Sequence, residues 1–120
     1  MKFDATITGW GEEAFMLLEE DVQMLIPFNE GAPDELADIC VLHAPSTVWD
    51  DPVAGDTLKL GEKEFKITYV GEVAKETLKD LGHATICFAP QDDPLPGYII
   101  VDGPRVEESD FFEGGKIEIF

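Results

Sequence analysis

The sequence predicts an all-β fold, a small closed barrel or barrel-like sandwich of roughly seven or eight short strands with about two or three short helices. Three observations carry that expectation. Apolar and polar residues alternate near the N-terminus, with Phe3, Ala5 and Ile7 on one side and Lys2, Asp4, Thr6 and Thr8 on the other, which is the period of a half-buried strand. Short apolar runs recur along the chain between turn formers such as Gly61-Glu62-Lys63 and Ala44-Pro45-Ser46. Helical spacing is confined to brief stretches, the clearest being Ala74, Leu78 and Leu81.

Residues 2 to 10 form the opening strand. A helical or irregular segment follows from Glu12 to Glu20, where Ala14, Phe15, Leu17 and Leu18 are apolar, and Met24 to Phe28 is a buried strand. Asn29-Glu30-Gly31-Ala32-Pro33 makes a turn, and Pro33 with Asp34 and Glu35 suits the first turn of a short helix that ends near Asp38, since acid there complements the helix dipole. Ile39 to His43 returns to a strand, closed by Pro45, which cannot donate to a central ladder. Asp56 to Leu60 and Phe65 to Val70 form a hairpin about Gly61-Glu62-Lys63. Ala74 to Leu81 is helical, with Gly82 at the cap position. His83 to Phe88 is a strand, Pro90 to Pro96 a loop, and Tyr98 to Val101 and Lys116 to Phe120 are the last two strands. No internal repeat, linker or low-complexity tract divides residues 1–120, so one domain is expected, long enough to bury about two thirds of its unfolded surface.

Composition narrows the function classes. Hydrophobic residues make up 44% and charged residues 28% of the chain, as in a globular protein, and apolar runs such as Ile39-Cys40-Val41-Leu42 are too short to span a bilayer. No direct membrane insertion is expected. Acidic residues number 26 against 8 basic ones, a formal net charge of −18. Nucleic acid is therefore excluded as a partner, because no basic stripe exists to neutralise phosphates, and anionic lipid is repelled. A basic protein partner would be steered inward, although excess acid also serves solubility alone. The N-terminus lacks the pattern of a secretory signal, which points to the cytoplasm, where Cys40 and Cys87 are expected as thiols.

The reactive candidates are few. There is no Gly-rich phosphate loop of the G-x-x-x-x-G-K-[ST] kind. His43 ends an apolar strand beside a proline-containing loop, a place from which a scaffold can present an imidazole at the rim of a sheet, and the lone pair of a neutral ring is what attack on phosphorus requires. His83 begins its own strand after Gly82; if the two strands are neighbours, it can hydrogen-bond the first ring or stabilise a transferring phosphoryl group. The residues alone leave other readings open. A histidine at a strand end is commonly a hydrogen-bonded surface group, and Cys40-x-x-His43 with His83-x-x-x-Cys87 offers a Cys2His2 zinc set. That zinc-stabilised interaction module needs a bulge, since residues three apart in a strand face opposite ways. Both cysteines sit in apolar strands, where burial raises the thiol pKa and disfavours nucleophilic use. Trp10, Trp49, Phe65, Tyr69, Phe88 and Tyr98 suit either a sugar-stacking platform or the core. The acid pairs Glu19-Glu20, Asp50-Asp51 and Asp92-Asp93 suit solvated loops better than glycosidase chemistry. Arg105, the sole arginine, suits an anion clamp or a surface ion pair.

Several stretches taken together resemble the glucitol/sorbitol-specific IIA family of the bacterial phosphoenolpyruvate-dependent sugar phosphotransferase system. They are Phe28-Asn29-Glu30-Gly31-Ala32-Pro33 with Glu35-Leu36, Ile39-Cys40-Val41-Leu42-His43, Val70-Gly71-Glu72-Val73-Ala74, Leu81-Gly82-His83-Ala84-Thr85 and Val101-Asp102-Gly103-Pro104. The resemblance runs from about Ala5 to the C-terminus, leaving the loops Ala44 to Val53 and Ala89 to Pro96 unmatched. It implies a single IIA domain over residues 1–120. It further implies that His43 accepts a phosphoryl group from HPr and passes it to the IIB part of the IIB/IIC membrane permease, with His83 in a supporting role and no cofactor or metal. This mechanism expects a neutral, solvent-reachable imidazole at position 43.

Overall fold

In a computed structural model, which describes residues 1–18 and 22–120, the chain is mostly β, with one nearly closed, barrel-shaped sheet and two α-helices. The strands are β1 (Phe3–Trp10), β2 (Met24–Leu25), β3 (Pro27–Asn29), β4 (Val41–His43), β5 (Thr47–Val48), β6 (Thr57–Leu60), β7 (Lys63–Val70), β8 (Thr85–Cys87), β9 (Tyr98–Asp102) and β10 (Lys116–Ile119). The helices are α1 (Asp34–Ala37) and α2 (Glu72–Leu81). The described residues thus hold a few more strands than expected, because the Met24 to Phe28 run divides at Ile26 and Thr47–Val48 adds a short pairing to β1. Within Glu12 to Glu20, a 3-10 turn forms at Met16–Leu18; residues 19 and 20 lie outside the described residues.

The strand order is β2-β8-β9-β7-β6-β10-β1-β4-β3, with β5 on β1. Its two ends, β2 and β3, are consecutive in the chain with only Ile26 between them. The backbone itself therefore joins the two edges, and each edge is paired: Met24–Leu25 with β8 and Pro27–Asn29 with β4. This arrangement removes the exposed edges of an open sheet. Pro27 is tolerated because it opens a short strand that has a single partner.

Period-two alternation dictates which side chains fill the barrel. Phe3, Ala5 and Ile7 from β1, Leu58 and Leu60 from β6, Phe65 and Ile67 from β7, Ile99 and Val101 from β9, and Ile117 and Ile119 from β10 are all buried and form one cluster. The hairpin expected at Gly61 is present, with Leu60 paired to Lys63, and Gly61 takes a φ of +58° that a side chain would disfavour. Helix α2 turns Ala74 and Leu78 inward, whereas Leu81, expected on the same stripe, is exposed. The β4 strand begins at Val41 rather than Ile39, because residues 38–40 are still occupied in closing α1: Ile39 and Cys40 donate their amides to Leu36 and Ala37.

Lys2, just before β1, and Asp56, just before β6, form an ion pair of 2.8 Å. Burial raises the Asp56 carboxyl, but the hydrogen bond from Lys2, the Val53 amide and the Lys2 charge outweigh it and hold the group below its ordinary value. A depressed folded-state pKa stabilises the fold above the ordinary carboxylate range, and that contribution is lost as pH falls through the depressed value. Asp56→Asn should therefore lower stability to urea at about pH 7 and leave it little changed at about pH 3, where the native carboxyl is losing the same advantage. In the core, Ile67→Ala should cost about 2–5 kcal/mol by the same denaturation measurement, since the 0% exposed side chain leaves a cavity.

Candidate functional site

The two histidines meet where β4 ends under the C-terminus of α2. His43 lies opposite Ile7 of β1 and Asn29 of β3. Within β4, Val41 and His43 share a face, and Val41 is fully buried. Strand parity therefore turns the His43 ring inward, and it is 0% exposed, the one polar or charged residue recorded as buried among the described residues. This overturns the expectation of a solvent-reachable imidazole at the sheet rim. The ring stands edge-on to Phe3, with centroids 6.1 Å apart and planes at 87°. Its Nδ1 lies 2.8 Å from the Ala44 carbonyl oxygen and its Nε2 lies 2.8 Å from the Gly82 carbonyl oxygen. A carbonyl oxygen only accepts, and a neutral imidazole has one N–H, so a neutral ring satisfies one contact and turns a lone pair towards the other.

Gly82 reaches that position because α2 ends in a left-handed (αL) C-cap. The Gly82 amide donates to the Leu78 carbonyl at 3.0 Å and the His83 amide to the Thr77 carbonyl at 3.2 Å, while Gly82 adopts a φ of +61°. The Thr77 hydroxyl also donates to the His83 carbonyl at 2.6 Å. A Cβ at position 82 would stand 2.4 Å from both Asn29 Oδ1 and His43 Cε1, so glycine is required by contact as well as by torsion.

His83 follows directly and is half-buried. Its Nδ1 lies 3.1 Å from the Pro27 carbonyl oxygen, and its ring packs on Phe28 with centroids 4.9 Å apart. The carbonyl assigns the hydrogen of a neutral ring to Nδ1, leaving a lone pair on Nε2, for which the structure records no hydrogen bond. The two imidazoles do not bond each other; they are linked through the Gly82 carbonyl and the backbone that follows it.

Three residues of this cluster were not singled out as site residues from the sequence: Asn29, Ser46 and Gly82. Asn29 Oδ1 accepts from the Ser46 amide at 3.3 Å and lies near the Ser46 hydroxyl at 3.4 Å, tying the loop after β4 to the end of β3. The legible signals were the Val41/His43 parity and a glycine placed between a helix end and a histidine.

The remaining candidates fall elsewhere. Among the described residues no three His, Cys, Asp or Glu side chains gather as a metal site, so Cys40, His43, His83 and Cys87 do not form the zinc set. Burial pushes both thiols up to about 11. Of the six aromatics considered for sugar stacking, Phe65 and Phe88 pair with each other at 5.3 Å and Phe65 is buried, while Trp10 packs on Phe15 at 5.7 Å and Trp49 is exposed, so the six share no common platform. Arg105 is exposed and forms no ion pair among the described residues; it borders a hollow of about 270 Å³ with Phe15 and Glu107. Asp51 pairs with Lys79 at 3.7 Å, Asp92 and Asp93 are exposed, and residues 19 and 20 lie outside the described residues.

Residues 2–118 match the family model for the PTS system glucitol/sorbitol-specific IIA component. The chain belongs to this family. Over 103 residues, the IIA chain is 36% identical to the PTS system glucitol/sorbitol-specific EIIA component of Escherichia coli K12, spanning 85% of this chain and 82% of the relative. The same figures hold for the protein of that name from Shigella flexneri. The crystal structure of a PTS system IIA component from Enterococcus faecalis V583 superposes with a TM-score of 0.79 at 27% identity, covering 96% of this IIA chain and 97% of that one. As a IIA component it is a phosphotransferase-system protein of sugar transport. No helix among its described residues is long and apolar enough to cross a membrane.

The site makes two expectations. Gly82→Ala should destabilise this IIA protein by about 1–3 kcal/mol, read from thermal or urea unfolding, because a Cβ there is opposed by φ and by His43 and Asn29 together. With thiol pKa values near 11, Cys40 and Cys87 should react with iodoacetamide at pH 8 at least about a hundredfold more slowly in the folded than in the urea-unfolded protein; comparable rates would place the thiols at the surface.

Proposed function

We propose that this IIA protein is a cytoplasmic phosphohistidine relay, in which His43 takes a phosphoryl group from HPr and gives it to the glucitol/sorbitol IIB component. The observation that carries the reading is the pairing of family membership with a histidine site: His43, which the sequence resemblance pairs with the family's phosphorylated histidine, sits in a cluster with His83, Asn29, Ser46 and Gly82 drawn from three separate segments. Transfer between imidazole nitrogens needs little covalent machinery. It needs in-line positioning and donors for the phosphoryl oxygens. The cluster offers neutral donors only, the Asn29 amide and Ser46 hydroxyl, with His83 able to add a second ring. The surrounding acidic surface, at −18 overall, favours a donor protein with basic residues near its own phosphohistidine, approached through a small transient interface.

A second reading rests on exposure: His83, half-buried with a free Nε2, is the more accessible of the two rings as the structure stands. One experiment separates them. Incubation with phosphoenolpyruvate, enzyme I and HPr should add an acid-labile phosphate, seen by intact mass and mapped to one histidine. His43→Ala should abolish it, and His83→Ala should slow it by about a hundredfold, the cost of losing one positioned charge-stabilising group. Phosphate retained in His43→Ala and lost in His83→Ala would move the acceptor to His83. Raising ionic strength should weaken transfer from HPr, as steering of opposite charges requires; a salt-independent rate would remove the acidic surface from the encounter.

A further inference from the structure

Resting on the reading of His43 as acceptor, we propose that Asn29 is a catalytic residue of the transfer, its side-chain Nδ2 donating to an oxygen of the phosphoryl group, and that Ser46 is the positioning residue that aims it. Asn29 and His43 are partners in register on the parallel strands β3 and β4, so their side chains project from the same face of the sheet. They stay close beyond the backbone. A single point, where a Cβ on Gly82 would stand, is 2.4 Å from Asn29 Oδ1, 2.4 Å from His43 Cε1 and 2.9 Å from His43 Nε2. Ser46 settles which end of the carboxamide is oxygen, since its backbone N–H at 3.3 Å can only donate, and its hydroxyl lies 3.4 Å from the same atom. Nδ2 is thereby turned away from Ser46. No hydrogen bond joins it to any described residue, and it is not among the polar atoms sealed from solvent.

The neighbouring donors are spent within the fold. The amides of Glu30, Ala44, Gly82 and His83 donate to the carbonyls of His43, Thr6, Leu78 and Thr77, and Pro45 has no amide hydrogen to give. The Thr77 hydroxyl donates to the His83 carbonyl, and a neutral His83 gives its ring hydrogen to Pro27. Ser46 directs its own donors at Asn29. The two hydrogens on Asn29 Nδ2 stay unspent, and a transferring phosphoryl group spreads its charge over oxygens that accept such bonds. In the step, an imidazole lone pair of His43 attacks the phosphorus of the donor's phosphohistidine. The new P–N bond forms as the donor's P–N bond breaks, and that electron pair returns to the donor ring. Asn29 gives up no proton. Its hydrogen bond steadies the charge on the moving oxygens, and because Ser46 fixes the carboxamide before the partner arrives, the donor is in place without reorganisation.

The test uses the whole protein with phosphoenolpyruvate, enzyme I and HPr. Phosphate is first mapped in the unaltered protein, where its absence from His43 overturns the relay reading and this proposal with it. With His43 phosphorylated, the variants decide Asn29 alone. Asn29→Asp keeps the oxygen that Ser46 binds and loses the donor, whereas Asn29→Ala loses both. The kcat for transfer from phosphorylated HPr should fall at least about a hundredfold in Asn29→Asp and less in Asn29→Ala, with KM moved by no more than about twofold in either. A residue that only tethers the Ser46 loop requires the reverse order, with Asn29→Asp near the unaltered rate and Asn29→Ala slow, and that order overturns the proposal. Ser46→Ala, which leaves the backbone N–H in place, should lower kcat no more than about threefold; a loss as large as that of Asn29→Asp would give the donor's part to the Ser46 hydroxyl. The unaltered protein supplies a measurement that needs no variant to fold: in ¹⁵N spectra the Asn29 side-chain hydrogens should shift downfield and exchange at least about tenfold more slowly once His43 is phosphorylated. Unmoved signals overturn the proposal and leave the relay standing.

Discussion

The imidazole of His43 has two nitrogens, and the barrel presents a carbonyl oxygen to each. The ring is 0% exposed, so both nitrogens meet backbone oxygens and neither meets solvent. Buried polar groups are normally paired, and a buried side-chain network of this kind fixes the geometry around it. The surrounding architecture can be understood as what keeps that ring in place: β1 and β3 on its flanks, Phe3 in a perpendicular contact with it, and the end of α2 over its Nε2.

Closure of the barrel is part of the same arrangement. The segment from Met24 to Asn29 crosses from one edge of the sheet to the other, and it supplies three groups to the site region in passing: the Pro27 carbonyl for His83, the Phe28 ring beneath it, and the Asn29 amide beside Gly82. A short stretch of chain thus joins the sheet and organises the histidines, so the site and the fold share their most constrained element. The apolar interior behind it is filled by alternating aliphatic and aromatic residues.

Much of the architecture was legible because it depends on local pattern. The Phe3/Ala5/Ile7 alternation, the Gly61 hairpin and the Gly82 cap each follow from the sterics of a few neighbouring residues, and each is where its pattern puts it. The failures arose where a contact from elsewhere competes. Leu81 leaves its expected stripe, and β4 starts two residues late because the amides of Ile39 and Cys40 are used to finish α1. The expectation of a reachable His43 weighed the loop after it more heavily than its parity with Val41. The Cys2His2 zinc set failed because spacing along two strands says nothing about whether their side chains converge.

By itself the sequence determined a β-rich domain, an acidic composition hostile to nucleic acid, and a resemblance to the glucitol/sorbitol IIA family, since these rest on periodicity, charge and ordered motifs along one chain. Only the tertiary structure decided that His43 is sealed, that His83 is the more open ring, and that Asn29, Ser46 and Gly82 gather in the same cluster. Those facts depend on which backbone oxygen arrives beside which nitrogen across 39 residues of chain, and no local pattern encodes that distance.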